Sequence, residues 1–169
     1  MLSYPLNVPI IVVIHRLKNV ESRLDEVLQH STKIRIKEAE DKEPIVSNTI
    51  YLTPSNYHLL VERDHTISLS VSEPVNFSRP SLDVTFFSIG EVYGDKAMGI
   101  VLTGANRDGS NGLNYIHRNG GETIVQDIDE AHINVMPQSA LLLTPESRQL
   151  KLQEIGKYIN KIFPNEDGA

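Results

Sequence analysis

Short apolar runs rich in valine and isoleucine alternate along this chain with segments of helical periodicity. The first run, residues 10–14, has the length of a buried strand, and apolar residues then recur at helical spacing over residues 20–31. Runs at 97–102 and 123–125 have the same character and predict two further buried strands. Strands that alternate with helices indicate a doubly wound α/β fold, in which a mostly parallel sheet has helices on both faces.

The middle of the chain contains shorter runs of strand-like character. Residues 33–37 alternate polar with apolar positions, and residues 50–53 form a short apolar run. Two more runs, 59–61 and 67–71, flank a polar turn at residues 63–65. This arrangement predicts antiparallel pairing in the middle of the chain, with a hairpin around the turn.

Three helices are predicted after the hairpin. The first starts near Pro80, which suits the first turn of a helix, and ends at Gly94. The second covers residues 108–119 and is closed by the glycine pair at 120–121. The third has an apolar face over residues 152–162.

Composition narrows the class of protein. The length of 169 residues with 40% hydrophobic content suits a single domain, residues 1–169, ending in a polar tail at 164–169 that we expect to be flexible. The absence of cysteine excludes disulfides and thiolate chemistry and favours a cytoplasmic location. A net charge of −6 with scattered basic residues argues against nucleic acid as a partner, and no apolar run is long enough for membrane insertion. The histidines lack the spacing of a metal-ligand set, so neither a metal nor another cofactor is predicted.

Two polar residues mark the edge at which a parallel sheet binds ligands. His15 follows the first strand, and Asp108 lies in the loop LTGANRDGSNG between a strand and a helix. Both residues are therefore expected at the carboxyl edge of the sheet. Each also has a simpler interpretation, His15 as a polar residue that meets solvent and Asp108 as the N-cap of the following helix. The loop lacks the spacing of phosphate-binding motifs, which disfavours a phosphate site.

Four blocks of sequence, in order and spacing, resemble the catalytic domain of the chemotaxis protein-glutamate methylesterases, the CheB type. The blocks are EAEDKEPIVSNTIYLTPSNYHLLVE (38–62), PVNFSRPSLDVTFFS (74–88), GIVLTGANRDGSNGL (99–113) and QDIDEAHINVMPQSA (126–140). The combination of N-x-x-R-P-S-x-D with L-T-G-x-x-x-D-G is specific, and the likeness runs from about residue 10 to residue 155.

The resemblance implies a Ser-His-Asp triad that hydrolyses methyl esters on glutamate side chains of chemoreceptors. His15 matches the family's base and Asp108 its carboxylate, while Gly104 and Ala105 match the loop that provides an oxyanion donor. Family positions near the site predict substrate contacts, with local packing as the alternative, for Asn76, Arg79 and Met136. The implied partners are methylated chemoreceptor segments and a receptor methyltransferase.

The nucleophile is where the chain departs from the family. The family's G-A/S-S-x-G-G turn comes some twenty-five residues before its histidine, whereas fourteen residues precede His15. Ser3 is the one serine in that stretch, and it has none of the glycines of a nucleophile turn. We therefore predict that these 169 residues lack the nucleophile. Either the chain is truncated, or it is a natural relative that has lost catalysis. Two functions stay open: a methylesterase that is N-terminally incomplete here, and a binding module that docks receptor segments or a methyltransferase.

Two further departures concern the pocket and the sheet. The family's T-G-M-G is Thr103-Gly-Ala-Asn106 here, and its His-Met-Pro is His15-Arg-Leu17. The family's first strand is missing, so the strand at residues 10–14 is expected to have an unpaired edge. We expect that edge to pair with a second copy, as a homodimer, rather than to close within one chain.

Overall fold

The computed structural model describes residues 2–15 and 23–164. Within those ranges it contains eight strands and five α-helices, in the order β1 Ile10–Val12, α1 Leu24–Gln29, β2 Arg35–Glu38, β3 Thr49–Leu52, β4 His58–Val61, β5 Ile67–Ser70, α2 Leu82–Tyr93, β6 Met98–Val101, α3 Ser110–Arg118, β7 Glu122–Gln126, α4 Val135–Leu143, β8 Arg148–Leu150 and α5 Leu152–Ile162. Three parts of the sequence predictions lie outside the described residues: the start of the first helix, the Arg16-Leu17 departure and residues 165–169 of the tail. No helix in the described part of the chain has the length and apolar character of a membrane span.

The fold is the α/β arrangement that the sequence predicts. Strands β1, β3 and β2 form one parallel sheet, β6, β7 and β8 form a second, and β4 and β5 form the predicted antiparallel hairpin. Helices α2 and α3 pack on each other and, through Phe86, Leu113 and Ile116, on the buried end of β6. The carboxyl ends of β1 and β6 lead to the two predicted site residues.

Strand β1 is an edge strand of one parallel sheet, and β6 is an edge strand of the other. Among the described residues, β1 pairs with β3 alone and β6 pairs with β7 alone. Ile10 of β1 and Ile100 of β6 nevertheless pack against one apolar cluster, which includes Leu6, Ile124 and Ile155. Strands β1 and β6 therefore border the same core, and no backbone pairing joins them within the described residues.

The expectation of antiparallel pairing in the middle of the chain is right for β4 and β5 and wrong for β2 and β3. These two strands pair in parallel, with Ile36 opposite Ile50. The connection between them, residues 39–48, is long enough to return the chain to the same end of the sheet. On its way it runs beside β5, where the Ile67 N–H donates to Glu43 O. An alternating pattern reports one buried face and does not report the direction of pairing.

Helix boundaries differ from the sequence predictions near the site. The second predicted helix begins at Ser110 instead of Asp108, because Asp108 and Gly109 form a turn and Gly109 has a φ of +91°. Helix α4 begins at Val135, which places Pro137 in its first turn. Strand β8 was not predicted, since it has three residues and two of them are exposed.

Helices α2 and α3 approach each other closely at Gly112. A Cβ atom added there would lie 2.6 Å from Phe86 Cβ and 2.9 Å from the main-chain oxygen of Asp83. The main chain inside a packed helix cannot move aside cheaply. The glycine therefore sets the distance between the two helices.

We expect Gly112→Ala to lower the free energy of unfolding by about 1–3 kcal/mol, because the added methyl group overpacks the contact between α2 and α3. Gly156→Ala in α5 is the matched control, and it should leave stability unchanged or raise it, since alanine has the higher helix propensity. Urea unfolding measures both values. A Gly112→Ala variant as stable as the wild type would contradict this account of the packing.

Candidate active site

The carboxylate of Asp108 is completely buried at the N-terminus of α2. It accepts hydrogen bonds from the Leu82 N–H at 2.6 Å and the Asp83 N–H at 3.1 Å, which are the first two amides of that helix. The Ser81 hydroxyl donates to the same carboxylate at 2.6 Å. Asp108 therefore caps α2, a helix earlier in the chain, and does not act as the N-cap of α3, the simpler interpretation of its position.

Asp83 makes the reciprocal connection, from α2 to the start of α3. Its side chain leaves α2 and accepts the N–H of Gly112, in the first turn of α3, at 2.7 Å. Its second oxygen accepts from the Asn76 side chain at 3.0 Å. Each helix thus begins with amides that donate to a carboxylate from the other helix or its entry loop. This exchange satisfies N-terminal amides that would otherwise be buried without partners.

The pKa values of the two buried carboxyls are shifted in opposite directions. Burial alone would raise the pKa of Asp108, but hydrogen bonds from His15, Ser81 and the α2 amides outweigh burial and hold that pKa below its ordinary value of 3.8. Burial raises the pKa of Asp83, and the nearby charge of Asp108 adds to the rise against the opposing Gly112 amide. As pH falls, Asp83 takes up its proton first and Asp108 stays ionised.

His15 lies just beyond β1 and contacts this ionised carboxylate. Its Nε2 atom is 2.7 Å from Asp108 Oδ2, so the predicted contact between the two residues is present. A carboxylate without a proton can only accept, which means that Nε2 carries the hydrogen and donates. In the neutral ring the other nitrogen, Nδ1, is then the unprotonated atom. The His15 side chain is 32% exposed, so part of the ring meets solvent.

Asn106 contacts the unprotonated nitrogen. Its Nδ2 atom lies 3.3 Å from His15 Nδ1 and donates to Ser78 Oγ at 3.2 Å. The orientation of the amide is fixed, because its oxygen accepts the N–H of Asp108 at 3.0 Å. Sequence reasoning noted Asn106 only as a departure from the family pattern. Its position two residues before Asp108, in a loop at a strand end, was the signal that could have identified it.

The strand-end loop after β6 is held against the start of α4. Gly104 donates its N–H to Ile133 O at 2.9 Å, and the Met136 N–H donates to Gly104 O at 3.1 Å. A Cβ atom at Gly104 would overlap the Met136 sulfur, so any larger residue here would force that side chain to shift. The next residue, Ala105, is exposed at the same edge.

The family model described as CheB methylesterase matches residues 1–159. A protein of Leptospira interrogans named protein-glutamate methylesterase/protein-glutamine glutaminase is 45% identical over 158 residues, which cover 94% of this chain and 82% of the relative.

The chain belongs to the CheB methylesterase family. The crystal structure of the Thermotoga maritima CheB methylesterase catalytic domain matches it with a TM-score of 0.90 and 26% identity, over 95% of this chain and 87% of that one. The protein-glutamate methylesterase FrzG of Myxococcus xanthus is 36% identical over 76% of this chain, which spans 39% of that protein. The family fold is therefore present over nearly the whole chain.

The other family positions are engaged within the chain itself. The Arg79 guanidinium donates to Asn56 Oδ1 at 2.9 Å, Val71 O at 2.6 Å and Ser72 O at 2.9 Å, so it ties two loops together. Met136 is 7% exposed and belongs to the apolar core. These contacts support the packing alternative for Arg79 and Met136, and the Asn76 bond to Asp83 supports it for Asn76.

One supporting residue, His58, is not among the site residues that the sequence predicts. It is fully buried, and its Nδ1 accepts the N–H of Ser81 at 3.2 Å while Nε2 donates to Glu73 O at 3.1 Å. His58 thus fixes the backbone of Ser81, whose hydroxyl binds Asp108. It therefore positions the carboxylate indirectly, through Ser81.

Ser3 lies at the other end of the sheet. Its N–H donates to Asn160 Oδ1 near the end of α5, and the adjacent Leu6 N–H donates to Asn48 Oδ1 just before β3. These partners mark the amino ends of the strands. His15 follows the carboxyl end of β1, so the geometry agrees with the rejection of Ser3 as a nucleophile.

We expect Asp108→Asn to lower the free energy of unfolding at neutral pH by about 2–4 kcal/mol, because an amide cannot accept from all four donors. The folded-state pKa of Asp108 is depressed, so its contribution is present above pH 3.8 and is lost as pH falls through the lower folded value. Urea unfolding across the acid range should therefore show a smaller difference between wild type and variant at the lowest pH. The exposed Asp129→Asn is the control, and an equal loss there would contradict the role of Asp108.

Proposed function

We propose that this chain supplies the base and the orienting carboxylate of a protein-glutamate methylesterase. The observation that carries the proposal is the 2.7 Å contact between His15 Nε2 and a buried, ionised Asp108, which leaves Nδ1 free of a proton at the carboxyl edge of the sheet. Relatives that carry the methylesterase name support the reaction class. The substrate implied by the family resemblance is a methylated glutamate on a chemoreceptor segment.

The proposed chemistry begins with a serine hydroxyl beside His15 Nδ1. The ring takes the hydroxyl proton as the serine oxygen bonds to the ester carbonyl carbon, and Asp108 stabilises the imidazolium that forms. The carbon–oxygen bond to the methoxy group then breaks, and Nδ1 returns the proton to the leaving methanol. A water molecule then attacks the serine ester by the same steps, which releases the glutamate carboxylate and restores the serine hydroxyl. We assign the Ala105 N–H to the oxyanion, at the turn where the family has its donor.

The same steps apply to a glutamine side chain, with ammonia as the leaving group in place of methanol. The name of the Leptospira relative includes protein-glutamine glutaminase. We therefore include deamidation of protein-bound glutamine as a second reaction of the site.

The open edges of β1 and β6 indicate where the serine enters. A strand between them, parallel to both, would pair with β1 on one side and β6 on the other and complete the shared core. Such a strand ends at the same edge as His15. In the resembling family the nucleophile turn follows the strand beside the one that ends at the histidine, which fits this slot.

One observation favours the alternative, a binding module without hydrolysis. The Asn106 amide donates to His15 Nδ1, the atom that the proposed mechanism requires for the serine proton. In an esterase the serine hydroxyl must displace this amide. In a binding module the amide would hold the ring permanently, and the site would dock receptor segments or a methyltransferase.

The test is methanol release from a glutamate-methylated receptor segment. We expect none from the 169-residue chain, and turnover once a strand with a G-x-S-x-G-G turn is joined before residue 1. In that extended protein His15→Ala should lower the rate by about 10³-fold or more, because the serine loses its base.

The matched control is His117→Ala, at the end of α3 opposite the site, and it should change the rate by less than about twofold. Turnover by the 169-residue chain alone would refute the assignment of the serine to another segment. An extended protein that binds the segment without turnover would establish the binding module instead.

A further inference from the structure

Phe77 is the most exposed apolar side chain among the described residues. Its exposure is 104% of the reference value, and the next highest is Leu142 at 83%. The ring belongs to none of the three apolar clusters of the described core. A complete aromatic side chain in water gives up the stabilisation that its burial would provide.

The backbone that carries this ring is held in a costly conformation. Residues 75–78, here called the rim turn, form a two-residue hairpin turn in which Val75 and Ser78 exchange backbone hydrogen bonds at 3.1 and 2.9 Å. The two central residues, Asn76 and Phe77, have φ angles of +49° and +62°. Positive φ is common for asparagine in such turns and unfavourable for a bulky aromatic residue. The rim turn therefore presents Phe77 outward at a cost in folding free energy.

Side-chain contacts connect the rim turn to the catalytic residues. Asn76 donates to the buried Asp83, and Ser78 Oγ accepts from Asn106, whose amide contacts His15 Nδ1. Arg79, directly after the turn, is fixed to the main chain of Val71 and Ser72. Phe77 is thus held on the rim of the site, one residue from a side chain that shares a donor with the proposed base.

We infer that Phe77 is an anchor for the substrate protein, inserting between apolar side chains that lie beside the esterified glutamate. The inference rests on the proposed function, because it takes the partner to be a protein bearing a glutamate methyl ester. An ester group is small and offers little surface for recognition, so binding energy must come from neighbouring parts of the substrate. An aromatic ring on a turn with a hydrogen-bonded backbone, beside a residue that contacts Asn106, supplies it with little backbone entropy to lose.

The occupant is specified by the chemistry of the rim. Phe77 is apolar and uncharged, and Val71, 63% exposed, is tied to the same loop through Arg79. A partner that places aliphatic or aromatic side chains within one helical turn of a glutamate matches these exposed apolar side chains. A second copy of the chain is the competing occupant, and the experiment separates the two.

The chain contains no tryptophan, so Phe77→Trp introduces one fluorescent reporter at the anchor. A glutamate-methylated cytoplasmic segment of a chemoreceptor should shift its emission to shorter wavelength as the ring enters an apolar environment. Leu142→Trp, near the end of α4 opposite the site, is the matched reporter and should not respond. An equal response from both reporters would overturn the inference.

Affinity provides the second measurement. Phe77→Ala should weaken binding of the methylated segment by about tenfold or more, as expected for an interface hot spot, without lowering the melting temperature, because the ring contacts no core residue. Leu142→Ala should leave the affinity within about twofold.

Three further results would overturn the inference: unchanged affinity of Phe77→Ala, no binding of the segment by the wild type, or an emission shift that follows protein concentration and so indicates a second copy. Hydrolysis of a short glutamate methyl ester peptide by the serine-bearing extended protein distinguishes these from failure of the proposed function. If that hydrolysis occurs while Phe77→Ala binds normally, the anchor fails alone. If it does not occur, the proposed function fails.

Discussion

Asp108 can be both buried and ionised because the N-terminus of α2 receives it. Two helix amides and the Ser81 hydroxyl replace the water that a carboxylate loses on burial, and together they compensate the cost of desolvation. Asp83 of α2 in turn accepts the Gly112 N–H in the first turn of α3, and the two helices meet at that glycine. The capping exchange therefore fixes two helices and one anion at once. His15 needs only to reach that anion to acquire a defined orientation.

The site is assembled from three segments that are distant in sequence. The end of β1 brings His15, the start of α2 brings the amides, and the loop before α3 brings Asp108 and Asn106. Their relative positions depend on the packing of α2 on α3 and on the placement of β1 against β3. Packed helices and a strand hold such groups more precisely than loops alone. The open edge of β1 lies directly beside this constellation, so a strand that pairs there is bound to affect the site.

Much of this arrangement could be predicted from the sequence, and the limits have physical causes. His15 and Asp108 were expected together because the carboxyl ends of parallel strands share an edge, and the family resemblance supplied their roles. The helix that Asp108 caps could not be predicted, since this depends on a contact between segments that close only in the folded chain. The parallel direction of β2 was missed because alternation reports burial and not direction. Asn106 and His58 act through tertiary hydrogen bonds that leave no periodic signal.

The proposed function requires an ionised Asp108 that fixes the proton of His15 on Nε2 and leaves Nδ1 as the base. Nitrogen-15 NMR of the imidazole rings, at a pH where all histidines are neutral, tests it most directly. The account predicts a protonated Nε2 and an unprotonated Nδ1 for His15 in the wild type. It predicts a return toward the tautomer mixture of the exposed His132 in Asp108→Asn. A His15 ring protonated on Nδ1, or unchanged between wild type and variant, would contradict the account.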